Sequence, residues 1–194
     1  TLAAYAFAWM QFPGRDTLFV AVFAMQIVPI QVTMIPLLTL YVDPPFGLPQ
    51  LAGSDAIGGG FYTIWLSHSI FALPLAIFLL HNFISEIPAD VIEAARVDGA
   101  THGQVFFRIV LPLATPAIAS FAIFQFIWVW NDFFSALIFL NGSKYQTLPV
   151  MTYNFVGALV SQWNLIFAVV IISMIPILAF YVFAQKRFIQ GYAG

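Results

Sequence analysis

The sequence predicts an all-α fold, a polytopic bundle of membrane-spanning helices. Hydrophobic residues make up 62% of the 194 residues and charged residues only 7%, whereas a soluble domain carries about a quarter charged residues. The mean hydropathy is +0.95, which means more apolar surface than a soluble chain can bury. Several apolar runs also reach the roughly twenty residues that a helix needs to cross the hydrocarbon core of a bilayer.

Four such runs are predicted to span the membrane, at about residues 18–42, 61–83, 113–140 and 165–184. Residues 1–12 are also apolar but too short to cross, so we expect them to be the end of a further helix. The chain starts without Met, which indicates truncation at the N-terminus. Together, residues 1–194 are predicted to form one transmembrane domain.

The positive charges predict how these spans are oriented. Alternation of the spans puts five cations on one side and one on the other, namely Arg15, Arg96, Arg108, Lys186 and Arg187 against Lys144. Because Lys and Arg accumulate on the cytoplasmic side of membrane proteins, the first side is predicted to be cytoplasmic, together with the C-terminus. Six scattered cations cannot form a basic stripe, so the expected contact is membrane lipid and no nucleic acid.

Residues 84–112, called the polar segment below, interrupt the apolar runs on the predicted cytoplasmic side. Pro88 suits the first position of a helix, where its missing N–H has no cost. Asp90 and Glu93 follow near the positive N-terminal end of that helix. Gly99 then predicts the helix end, because glycine readily takes the left-handed conformation found there.

A second short helix is predicted to follow and to end before Pro112, because Thr101 and Gln104 have the spacing of a capping box. The apolar positions of the two helices are Ile92, Ala95, Val105, Phe106 and Ile109. Their polar positions are Glu93, Arg96, His102 and Arg108. Two interpretations stay open at this point. The segment folds back on its own bundle, or it uses these residues to dock a soluble partner.

The sequence of the polar segment resembles that of a known family. The identities that match at the family's spacing are Glu93, Ala94, Ala95, Gly99, Ile109, Leu111 and Pro112. They resemble the Glu-Ala-Ala loop, ending in Ile-x-Leu-Pro, of the inner-membrane permease subunits of ATP-binding-cassette importers. Arg96-Val97-Asp98-Gly99-Ala100, Gln26-Ile27-Val28-Pro29 and Trp130-Asn131-Asp132-Phe133-Phe134 extend the resemblance towards the carbohydrate-uptake, maltose-system-like branch.

That resemblance implies a fold, a location and a set of partners. The fold is that of a type I importer permease in a prokaryotic inner or plasma membrane, although this chain lacks an earlier helix of the usual six spans. The implied partners are a second homologous permease, two cytoplasmic ATPases and an extracytoplasmic sugar-binding protein. The implied ATPase-coupling residues are Glu93, Ala94, Ala95, Asp98, Gly99, Ile109, Leu111 and Pro112.

The chain is predicted to be a transport subunit and not an enzyme. No G-x-x-x-x-G-K-[S/T] phosphate-binding loop occurs in the sequence, so ATP hydrolysis is assigned to a separate ATPase subunit. The alternative is an ATP-independent secondary transporter or channel, which would be expected to carry coupling carboxylates at the bilayer midplane. The family resemblance implies that sugar selection lies mainly with the other subunits.

Polar residues in the third span are the remaining candidates for function. Asn131 and Asp132 are candidates for lining the transport pathway, because a charge in hydrocarbon is costly and usually faces an interior. A hydrogen bond between packed helices is the other interpretation of Asp132. The three histidines, His68, His81 and His102, match no metal-binding spacing, so no metal or cofactor is predicted.

Overall fold

The computed structural model describes residues 1–53, 56–140, 145–157 and 163–192. These residues form helices joined by turns, with no strand in any of the four ranges. The all-α prediction is therefore confirmed. Lys144, the cation assigned to the side opposite the other five, lies outside the described residues.

The α-helices follow one another along the chain with short connections. They are α1 (Leu2–Trp9), α2 (Arg15–Ala24), α3 (Ile30–Val42), α4 (Phe61–Ser85), α5 (Ala89–Val97), α6 (His102–Val105), α7 (Leu111–Leu113), α8 (Thr115–Trp130), α9 (Phe134–Phe139), α10 (Leu148–Gly157) and α11 (Trp163–Tyr192). A π-helical turn, Phe106–Val110, joins α6 to α7. Short 3-10 turns lie at Met25–Ile27, Pro45–Gly47 and Ile57–Gly60.

Within the described residues, two helices are long and apolar enough to cross a membrane, namely α4 and the Trp163–Phe183 part of α11. The total becomes four if each of two bent helix pairs counts as one span. One pair, Arg15–Ile27 with Ile30–Val42, covers the run predicted at residues 18–42. The helix breaks before Pro29, because proline has no N–H to continue the hydrogen bonding of a helix. The run predicted at 113–140 likewise divides into α8 and α9. The number of spans stays a prediction.

The contacts divide the chain into two compact units. Unit 1 contains Thr1–Ile27, Ala72–Gln125 and the part of α11 from Ala184 onward. Its core gathers α1, the end of α4 and the polar segment around ten buried side chains, Ala4, Tyr5, Leu80, Ile84, Ile87, Ile92, Val105, Phe106, Val110 and Ala114. The polar segment is thus part of a packed unit and is not an isolated loop.

Unit 2 contains Val28–Phe71 and Phe126–Phe183. Its core is formed by side chains from α3, α4, α9, α10 and the segments next to them, namely Met34, Tyr41, Ala52, Ile64, Ala136, Phe139, Leu140 and Val150. The hydroxyl of Tyr41 lies 3.0 Å from the Ser67 hydroxyl oxygen, so the polar end of this buried ring is satisfied inside the unit.

The turn between α5 and α6 is built as the sequence predicts. Gly99 has φ +81°, in the left-handed region, and its N–H donates to the Arg96 carbonyl at 3.0 Å. The Ala100 N–H donates to the Ala95 carbonyl at 2.9 Å, which completes a Schellman motif. The predicted capping box is also confirmed, since Thr101 and Gln104 exchange backbone-to-side-chain hydrogen bonds in both directions.

Two details of the polar segment differ from the prediction. Pro88 has an extended backbone and precedes the helix, which begins at Ala89. The second helical stretch does not end before Pro112 but continues through it to Leu113. The π turn explains this continuation, because the Leu111 N–H donates to the Phe106 carbonyl five residues back. This wider turn accommodates the proline that would otherwise stop the helix.

Two glycines of the polar segment predict opposite effects of the same substitution. In Gly99→Ala the added methyl group has open space, but the left-handed backbone should cost about 1–2 kcal/mol. In Gly103→Ala the methyl group also has open space, and the helical backbone makes the change neutral or stabilising. Thermal unfolding of the two purified variants in detergent measures the difference. A Gly99→Ala protein as stable as Gly103→Ala would contradict it.

Candidate functional site

The helix α5 carries two faces of different character. Its inner face holds Ile92, of which only 1% is exposed, and the partly buried Ala95. Its outer face holds Glu93, Ala94 and Val97, and Val97 is 88% exposed. Successive residues of a helix point 100° apart, so residues that are neighbours in sequence lie on different sides of α5. The outer face is therefore open to contact with a partner.

The apolar residues expected to dock a partner are mostly inside the unit. Ile92, Val105 and Phe106 are buried in the core of unit 1 against Ala4 and Tyr5. Of the two interpretations left open by the sequence, the burial of these three side chains matches the one in which the segment folds back on its own chain. The physical reason is that α1 covers them, and no local pattern within the polar segment reveals a helix more than eighty residues away in sequence.

The two most exposed apolar residues of the polar segment were not singled out by the sequence. Val97 lies on the outer face of α5, and Phe107, on the π turn, is 63% exposed. Val97 follows the polar Arg96, and Phe107 follows the buried Phe106. A helical wheel that places Val97 away from Ile92 could have identified Val97 as exposed. The same method fails for Phe107, because the π turn changes the number of residues per helical turn.

The outer face is also acidic. Asp90, Glu93 and Asp98 are exposed, and within the described residues none of their carboxylates has a hydrogen bond or an ion pair. An exposed carboxylate without an internal partner is free to pair with a cation on another molecule. The small side chain of Ala94 lies beside Glu93 and leaves room for close approach.

The remaining implied coupling residues lie at other places in the unit. Ala95, Ile109 and Leu111 pack against its core, Gly99 forms the turn, and Pro112 is exposed at the start of α7. The eight residues therefore do not form one surface. Glu93 and Ala94 belong to the outer face, Asp98 follows it at the C-terminal end of α5, and the other five lie elsewhere in the unit.

Asn131 and Asp132 lie at the break between α8 and α9. The Asn131 amide donates to the Ile127 carbonyl of its own helix at 2.8 Å. Asp132 Oδ2 lies 2.9 Å from His68 Nε2 of α4, and Asp132 Oδ1 accepts the Ser135 N–H at 3.2 Å. This geometry matches the helix-packing interpretation of Asp132, while pathway lining stays a prediction for both residues.

His68 was the partner that sequence reasoning missed. The His68 and Asp132 side chains are only 10% and 12% exposed, and the imidazole also meets the Trp128 ring edge-on at 5.7 Å between centroids. His68 thus joins α4 to α8 and to the α8–α9 break. The two residues are 64 positions apart, and no spacing rule connects residues at that separation.

Comparison with known proteins gives consistent matches. The profile of one family, described as the binding-protein-dependent transport system inner membrane component, matches residues 1–193. The osmoprotective compounds uptake permease protein of Synechocystis sp. is 45% identical over 98% of this chain and 61% of its own length. The alpha-glucoside transport system permease protein of Rhizobium meliloti is 42% identical over 96% of this chain and 48% of its own length.

A third relative is the trehalose transport system permease protein of Mycobacterium tuberculosis. It is 38% identical over 98% of this chain and 66% of its own length. The chain therefore spans about half to two thirds of the length of these curated relatives.

The His68–Asp132 contact predicts a large coupling between the two residues. Removing one partner, as in His68→Leu or Asp132→Leu, leaves the other buried and unpaired and should lower stability by about 3 kcal/mol or more. The double variant should lose clearly less than the sum of the two single losses, because no unpaired group remains. Thermal unfolding of the four proteins in detergent measures this cycle.

The exposed pair of Arg15 and Asp16 supplies the control. Asp16→Leu breaks a pair in contact with solvent and should change stability little. Strictly additive losses at residues 68 and 132 would contradict the assigned contact.

Proposed function

Because this chain belongs to the family of binding-protein-dependent transport system inner membrane components, we propose that it is the transmembrane permease subunit of an ATP-driven importer. The proposed cargo is a sugar or oligosaccharide. The relatives named for alpha-glucoside and trehalose transport support that class of cargo. The proposed location is a prokaryotic plasma membrane, with the polar segment and the C-terminus on the cytoplasmic side.

The observation that carries the proposal is the outer face of α5. Glu93 offers a free carboxylate, Ala94 permits close approach and Val97 adds an exposed apolar contact. An ATPase subunit with a basic and apolar cleft would be complementary to this face. We assign the docking of two cytoplasmic ATPases to this face and to its counterpart on a second, homologous permease. An extracytoplasmic sugar-binding protein completes the proposed assembly.

The packing of unit 1 supports a mechanism of coupling. Ile92 of α5, Val105 of α6 and Val110 of the π turn share one core, and packed cores move as rigid bodies rather than deforming. Closure of the ATPases would therefore shift α5, α6 and the π turn together. Through Pro112 and α7 this shift reaches α8, which leaves the preceding helical stretch at an angle of 67°.

The proposed docking face predicts the effect of reversing its charge. Glu93→Lys places a cation where the partner's cation should lie, and we expect association with the ATPase to weaken about tenfold or more, with ATP-dependent uptake lost. Co-purification of the ATPase with the full-length permease and sugar uptake into proteoliposomes are the two measurements.

Glu86→Lys is the matched control, because Glu86 is an exposed glutamate of the same unit outside α5. It should leave association and uptake unchanged. Normal uptake by Glu93→Lys, or equal loss in Glu86→Lys, would overturn the assignment of the outer face.

The energy source separates the proposal from an ATP-independent transporter. We expect uptake to stop when the ATPase subunit is omitted, because the chain carries no phosphate-binding loop of its own. Ionophores that dissipate proton and sodium gradients should leave uptake in ATP-loaded vesicles unchanged. Uptake that persists without the ATPase and disappears with the ionophores would assign the chain to the secondary transporters.

A further inference from the structure

The short helix α1 contacts the end of α4 and several parts of the polar segment. The Trp9 indole N–H donates to the Ile84 carbonyl, at the end of α4, at 3.1 Å. The Arg96 guanidinium of α5 donates to the Trp9 carbonyl at 3.2 Å. The Tyr5 hydroxyl lies 3.0 Å from His102 Nδ1 at the start of α6. Three hydrogen bonds thus join α1 to three successive elements.

Apolar packing reinforces these hydrogen bonds. Ala4 and Tyr5 are buried in the same core as Ile92 and Val105. The Tyr5 ring also packs on Phe106 of the π turn, with 5.5 Å between ring centroids. Tyr5 therefore holds the π turn through its ring and α6 through its hydroxyl.

Arg96 has a specific reason to turn towards α1. Trp9 is the last residue of α1, and the final carbonyls of a helix lack partners within that helix. They also carry the negative end of the helix dipole, which attracts a cation. The guanidinium of Arg96 satisfies one such carbonyl. Arg96 and His102, which the sequence left open to either a partner or the chain itself, both contact their own chain.

We propose that α1 is a clamp that fixes the orientation of the polar segment, and that Tyr5, Trp9, Arg96 and His102 are positioning residues for coupling. This inference rests on the proposed function. A force applied to the outer face of α5 then moves α1 and the end of α4, in addition to α8, which it reaches through Pro112. The clamp residues make their hydrogen bonds between α1 and the polar segment, so they position the docking face without forming it.

The clamp predicts a defect different from that of Glu93→Lys. When the clamp is weakened, the ATPase still finds an intact outer face and binds, but its closure turns the loosened segment without moving the helices behind it. ATP hydrolysis should therefore continue while the amount of sugar imported per ATP falls. A purely structural role would instead lower the yield of folded protein and leave that ratio unchanged.

The test uses the full-length permease assembled with its partner subunits in proteoliposomes. Tyr5→Phe removes only the hydroxyl and keeps the ring, and Arg96→Leu removes the cation that caps α1. Each should lower the sugar-to-ATP ratio about threefold, because losing one hydrogen bond shifts the equilibrium between the clamped and the loosened segment by a factor of about that size. Co-purification of the ATPase should stay normal. Arg96→Lys should restore most of the ratio, because the ammonium group can also donate to the Trp9 carbonyl.

Arg15→Leu is the matched control, since it removes an arginine of the same unit whose ion pair is with the adjacent Asp16. It should keep the full ratio. An unchanged ratio in both Tyr5→Phe and Arg96→Leu, or an equal fall in Arg15→Leu, would overturn the clamp while leaving the proposed function intact. Absence of ATP-dependent uptake by the unaltered assembly would instead overturn the proposed function, and the coupling role of α1 with it.

Discussion

The burial of Ile92 against α1 decides the orientation of the polar segment. A nine-residue helix such as α5 is too short to be stable alone in water, so its packing partner determines which side it exposes. Once Ile92 lies in the same core as Ala4 and Tyr5, helix geometry turns Glu93 and Val97 away from that core. The outer face therefore depends on contacts made behind it.

The ends of the short helices depend on polar groups that lie close by. The turn at Gly99 satisfies the last carbonyls of α5, and the capping box of Thr101 and Gln104 satisfies the first N–H groups of α6. Arg96 does the same for α1 from a distant part of the chain. Helices of four to nine residues leave most of their terminal groups unpaired, and here several of these groups find a partner within the unit.

The sequence predicted what local chemistry determines. The all-α class follows from composition, and Gly99, Thr101 and Gln104 act through neighbours within five residues, so their roles were readable. The burial of Ile92, Val105 and Phe106 could not be predicted, because it depends on α1, which precedes them by eighty to a hundred residues. The partnership of His68 with Asp132 has the same cause. The continuation of the helix through Pro112 depends on the π turn, which no residue pattern in the segment signals.

The π turn also acts as a rotational offset. Each residue of an α-helix advances the helix by 100°, so a turn that holds one extra residue changes the angular register of everything after it. In this chain the turn at Phe106–Val110 separates α6 from α7 and the first turns of α8. Loss of a single residue from this stretch would restore α-helical register and rotate α6 relative to α7 by about a quarter of a turn. The length of this stretch is therefore as constrained as its composition, and insertions or deletions should be tolerated in other connections before they are tolerated here.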